Sequence, residues 1–105
     1  MPVATNNQTV LHAVDYIDPS QGLVASAKLL AKAVNQALAT HTNVVVELAD
    51  LRSVSSSYFN MLLLAVADTS GNDAIKSRLS LKFSSDAQRQ IFRRSFDAVL
   101  RSRVQ

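Results

Sequence analysis

Seven residues, Asn43-Val44-Val45-Val46-Glu47-Leu48-Ala49, restrict the fold more than any other stretch. Three consecutive valines are stiff at χ1 and favour the pleated backbone over the helix. The run is nearly continuous in apolar residues, with Glu47 the exception, which predicts a strand from Val44 to Ala49 covered on both faces. Two further segments read as strands. Thr9 to Tyr16 predicts one, with Val10, His12, Val14 and Tyr16 on one face and Leu11 and Ala13 on the other. Arg78 to Phe83 predicts another, half exposed or near an edge, with Leu79, Leu81 and Phe83 alternating against Ser80 and Lys82.

The segments between these runs carry the helical period. Leu23, Ala27, Leu30, Val34 and Leu38 form an apolar stripe from about Ser20 or Leu23 to Ala39, with Lys28, Lys32, Asn35 and Gln36 left for water. The turn Asp18-Pro19-Ser20-Gln21-Gly22 precedes it and offers Ser20 as N-cap. Met61 to Ala67 predicts a second helix that starts near Ser55 or Ser56 and ends about Asp68, before a loop over 69–73 in which Gly71 takes positive φ. Ser85 and Gln88 make a capping-box pattern before a third helix. There Phe92, Phe96, Val99 and Leu100 form the stripe, Ile91 lies beside it, and Arg93 and Asp97 sit four apart. The order is β-α-β-α-β-α. Short linkers in that order predict right-handed crossovers: an α/β fold with a mostly parallel sheet flanked by helices.

A chain of 105 residues buries enough surface for one core, so the expectation is a single domain, 9–105, behind a flexible N-terminal tail, 1–8. That tail has neither the basic region nor the apolar core of a signal peptide. The longest apolar run, Met61 to Ala67, is far too short to span a bilayer. The lack of cysteine rules out disulfides and thiolate metal sites and suits a cytoplasmic protein. Charge is divided unevenly: three basic against six acidic residues up to position 75, then eight against two. A basic last third suits nucleic acid, an acidic partner or simply a solvated helix face.

Between the central strand and the second helix stands Ser55-Ser56-Ser57-Tyr58-Phe59-Asn60. Hydroxyls at that junction lie where free N–H groups and the helix dipole favour anions, and beyond the carboxyl ends of the strands. No catalytic set accompanies them. A serine nucleophile needs an adjacent base; His41 falls at the opposite end of the strand and His12 falls mid-strand. Glycine is limited to Gly22 and Gly71, so there is no phosphate-cradling loop and no nucleophile elbow. Two scattered histidines do not make a metal site. The expectation is a protein that is not an enzyme, with no cofactor and no metal.

The stretch from Val44 to Phe59 resembles the central signature of STAS domains, the family of sulfate transporters and anti-sigma factor antagonists. In those, a hydrophobic strand and a short loop meet an Asp-Ser-Ser-Gly turn that opens a helix. It is most similar to the STAS-like family of unassigned function, and the likeness extends over most of the chain from about Tyr16. Ser56 matches the serine that a partner kinase phosphorylates in the antagonists, and Ser57 matches the second serine. Ser55 stands in place of the aspartate and Tyr58 in place of the glycine, so a charge is lost and bulk is gained. The resemblance implies a regulatory protein-interaction module that works with a histidine-kinase-like ATPase, with Ser56 as phosphoacceptor.

The candidate partner-binding residues are therefore Arg52, Ser55, Ser56, Ser57 and Tyr58. Two adjacent aromatics on one helix are not expected to share the core, and Tyr58 is the one expected outside, as exposed aromatics often mark interfaces. The plainer alternative is that Ser55 or Ser56 only caps the helix, which contributes about 1 kcal/mol. The rival function is nucleic-acid association through Arg89, Arg93, Arg94 and Arg101 on the last helix. No helix-turn-helix pattern or interleaved stacking aromatics accompany those arginines.

Overall fold

The computed structural model describes residues 8–17, 20–49, 51 and 54–103. Residues 1–7 of the expected tail, Asp18 and Pro19 of the expected turn, and Arg52 lie outside these. Three strands, β1 (Gln8–His12), β2 (Asn43–Glu47) and β3 (Leu79–Lys82), alternate with three helices, α1 (Gly22–Thr40), α2 (Ser56–Ser70) and α3 (Asp86–Arg103). The strands lie side by side in the order β1-β2-β3, and both pairings are parallel. The expected α/β architecture is thus present, with the valine run as the central strand.

Register explains the layers. Thr9, Leu11, Val44, Val46, Leu79 and Leu81 share one face, because Val44 pairs with Thr9 and Leu79, and Val46 with Leu11 and Leu81. Right-handed crossovers that step in one direction across a sheet place their helices on the same side. Accordingly Val44 and Val46 join Leu30, Val34, Phe59, Leu62, Leu63 and Val66 in one core. The opposite face carries Val10, Val45 and Ser80 in one row and His12, Glu47 and Lys82 in the next. Val45 is only 7% exposed but stands outside the main core, whereas Val10 beside it is 40% exposed. The expected cover on both faces of β2 is therefore not met: Val10, His12, Ser80 and Lys82 on the second face are exposed, and only Val45 at its centre is buried.

Several boundaries differ from expectation. β1 starts one residue inside the expected tail and stops at His12, where its partner β2 also stops. Beyond it Ala13–Tyr16 is a 3-10 turn with Ala13 buried, so the alternation of Val14 and Tyr16 continues in a segment that has no strand left to pair with. Gln21, not Ser20, is the N-cap of α1. Asn35 binds α2 as well as facing outward: its Nδ2 donates to Ala65 O (3.3 Å), and Ser70 Oγ donates to its Oδ1 (2.7 Å). Gly71 takes φ 92° at the end of α2, as its position predicts. A π-helical turn, Ala74–Arg78, delays β3 to Leu79.

All four phenylalanines fasten α3 to the rest. Phe92 lies 5.4 Å from Phe59, 5.3 Å from Phe83 and 5.6 Å from Phe96 between ring centres. The expected cap forms in modified shape: Gln88 N donates to Ser85 Oγ (3.2 Å), while Ser84 N, rather than Ser85 N, donates to Gln88 Oε1 (2.9 Å). Gln88 Nε2 also donates to Leu51 O, tying α3 to the loop behind β2. At the far end Arg103 binds Asp68 and Asn72. Arg93 and Asp97 form no ion pair.

Arg78 closes the carboxyl end of α1. Its guanidinium donates to Leu38 O (2.7 Å), a last-turn carbonyl that the helix end leaves without an intrahelical donor, and to His41 O (2.8 Å) and Thr42 O (3.0 Å) just beyond the helix. Charge-assisted bonds at a helix C-terminus are stabilising. Arg78→Ala is expected to cost about 2 kcal/mol, read as a lower urea midpoint with an unchanged slope.

Candidate functional site

β2 ends at Glu47 and α2 begins at Ser56, so the three serines stand at the carboxyl end of the parallel sheet. Ser55 is the N-cap: its backbone is extended and its Oγ accepts from Tyr58 N at 3.4 Å. The capping role therefore falls to Ser55. Ser56 and Ser57 open the helix with exposed side chains.

The expectation for Tyr58 is overturned. Tyr58 and Phe59 are both fully buried, their rings edge to face at 5.8 Å. Adjacent helix positions differ by about 100°, and α2 is covered over a wider arc than that, by the sheet core, α1 and α3. Tyr58 is therefore a core residue and presents nothing to a partner. Its hydroxyl oxygen is buried without a hydrogen-bond partner, and burial pushes its pKa up to about 12.

Across from Ser56 runs α3. Ser95 is buried, and its Oγ donates to Ser56 O at 3.3 Å. Beside this bond lies a groove of about 410 Å³ lined by Ser56, Asn60, Ile91, Arg94, Ser95 and Ala98. The fold has thus brought Ser56 and Arg94, 38 residues apart in the chain, onto one surface. Asn60, one turn below Ser56, lines the same groove, and its Oδ1 is buried with no partner. Sequence reasoning missed Asn60 and the link to Arg94. The only signal was the shared helical spacing of Ser56 with Asn60, and nothing in the chain announces which arginine of α3 faces them.

The remaining arginines are spread out. Arg89, Arg93, Arg94 and Arg101 are all exposed, over an arc of about 140° on the α3 surface. Asp86 and Asp97 fall inside that arc, and Arg89 reaches Asp86 at 4.0 Å and lies over the Phe83 ring. The basic surface is an interrupted one.

His12 ends β1 rather than standing mid-strand. It shares the face away from the helices with Glu47, Nδ1 to Oε1 3.5 Å, and Lys82 lies 4.0 Å from the same carboxylate. His41 is held at the other end of the sheet by Thr40 and Ala37 O. Neither imidazole shares the Ser56 groove. Among the described residues no three His, Asp or Glu side chains gather in a way that could hold a metal ion, and no helix is long and apolar enough to cross a membrane.

No family model, curated protein or solved structure matches this chain.

Two outcomes test this geometry. Tyr58→Phe removes a buried hydroxyl that makes no bond, so stability at pH 7 is expected to be unchanged or up to about 1 kcal/mol higher. Because the folded phenol holds its proton above the ordinary value near 10, its contribution is complete below pH 10 and is lost as pH rises toward 12. Chemical denaturation across that window should show a shallower decline in the variant. Ser55→Ala should cost about 1 kcal/mol by loss of the cap, and Ser56→Ala much less, measured in the same way.

Proposed function

We propose that this chain is a regulatory protein-interaction module whose partner surface is the exposed start of α2, switched by phosphorylation of Ser56. The observation that carries the reading is the division of labour among the serines. Ser55 is engaged as the cap, which leaves Ser56 exposed on the first turn of a helix whose other face is buried in the core. A phosphoacceptor has to be reachable by another protein's active site, and its modification has to leave the fold intact. The exposure of Ser56 supports the first condition, and its place outside the core supports the second. A phosphate adds about −1.5 to −2 charges at a helix end that tolerates anions.

The resemblance to STAS-like domains supplies the partner class, a histidine-kinase-like ATPase. In that step Ser56 Oγ bonds to the γ-phosphorus of ATP, the bond to the bridging oxygen breaks, ADP leaves, and the hydroxyl proton passes to a base of the kinase. The chain itself serves as substrate and switch and is not the enzyme. Its partner surface comprises Ser55, Ser56 and Ser57; Tyr58 is withdrawn from it by burial. Nucleic-acid binding along α3 is the weaker reading, because Asp86 and Asp97 interrupt the basic arc and repel a phosphate backbone.

Incubating the chain with ATP and each histidine-kinase-like ATPase of its source organism, then mapping phosphopeptides, tests the proposal. The expected result is phosphate on Ser56, lost in Ser56→Ala. Ser55, Ser56 and Ser57 left unmodified by every such kinase would overturn it. If duplex DNA or RNA instead bound with an affinity that falls steeply with salt and depends on Arg93 and Arg94, the α3 reading would replace it.

A further inference from the structure

We infer that the groove between α1 and α2 is a docking site for an amphipathic helix of a partner protein, one that sets carboxylates beside its apolar stripe. The inference goes beyond the reading of Ser56. It concerns the α1 flank of α2 and requires no phosphate.

The two helices carry little charge. α1 and α2, 19 and 15 residues long, hold only Lys28, Lys32 and Asp68, whereas the 18 residues of α3 hold five arginines and two aspartates. Asp68 is already bound to Arg103. Val24 and Leu29 of α1 are 41% and 43% exposed. Depletion of charge beside exposed apolar side chains is the composition of an interface centre.

Between the helices lies a groove of about 430 Å³, lined by Ala31, Met61 and Ala65 and by Lys28 and Lys32. Ala31 is buried, Met61 and Ala65 are half-buried, and both lysines are exposed. An apolar floor thus lies beside a basic rim. The lysines are four residues apart, so they share one face of α1, and Val24 continues that face by a turn. Neither lysine makes an ion pair among the described residues, and no carboxylate is among the lining residues.

Shape and charge together choose the occupant. A helix laid in a groove presents apolar residues at i, i+3 or i+4, and i+7, here to Met61 and Ala65. Carboxylates one turn apart on its flank then meet the two ammonium groups. Such rim pairs select the partner and its register more than they add affinity. A second copy of this chain fits poorly. α1 has no carboxylate, Asp68 is taken, and α3 would bring its arginines toward the lysines. A lipid surface would not follow a floor recessed between two helices.

A phage-displayed library of amphipathic helical peptides, randomised at its polar positions, tests this on the full unphosphorylated chain, so its outcome is separate from the fate of Ser56. The enriched peptides are expected to carry Asp or Glu one turn apart beside the apolar stripe. Lys28→Glu with Lys32→Glu should weaken their binding at least about tenfold and leave the melting temperature unaltered. Lysines in place of the peptide carboxylates should restore binding to that variant and abolish it for the original chain. Arg93→Glu with Arg101→Glu changes net charge equally and should leave binding as it was. Failure to enrich any peptide, enrichment without acidic bias, or equal weakening by the two charge reversals would overturn the inference. Vesicles of phosphatidylcholine and phosphatidylserine supply the other check: Lys28- and Lys32-dependent sedimentation with no enriched peptide would assign the face to a membrane and overturn the helix assignment.

Discussion

The burial of α2 is the constraint on which the rest of this structure depends. One helix must cover the sheet, meet α1 along one flank and meet α3 along the other. It does so because Tyr58, Phe59, Leu62, Leu63 and Val66 together span far more than a narrow stripe, and all are fully buried. Burial of that apolar area stabilises the helix by roughly 25 cal/mol for each Å² removed from water.

That division between buried and exposed residues is what makes the serine cluster interesting. Ser56 and Tyr58 are two residues apart, yet one faces solvent and the other is sealed in the core. A charge placed on Ser56 therefore acts on the surface, and the core beneath it supplies a fixed platform. α3 adds the second wall, fixed by its phenylalanine contacts, by Gln88 at one end and by Arg103 at the other. In the proposed switch, the charge at Ser56 is read against a surface whose geometry is already set.

The same geometry reorders the significance of the basic C-terminal third. Counted along the chain, its arginines look like one patch. Wrapped on a helix, they spread over a wide arc with carboxylates among them, and individual members take different tasks. Arg78 completes the end of α1, Arg103 ties α3 to α2, and Arg94 lines the groove beside Ser56. Net charge predicts a long-range field and says little about which guanidinium performs which local task.

Local periodicity sufficed for the element order, the Ser55–Ser57 helix start and the Ser85–Gln88 cap, because each is set by neighbours within a turn or a strand. It failed where a partner distant in the chain decides. β1 ends at His12 because β2 ends opposite it, although the alternation runs on to Tyr16. Asn35 looks solvent-facing until α2 packs beside it. Tyr58 looks like a surface aromatic under the rule that one helix buries one stripe, and that rule gives way when a helix is covered on several sides. The meeting of Ser56, Asn60 and Arg94 belongs to the same class. It depends on how α3 docks across α2, and packing between helices depends on the summed fit of many side chains, which no single segment encodes.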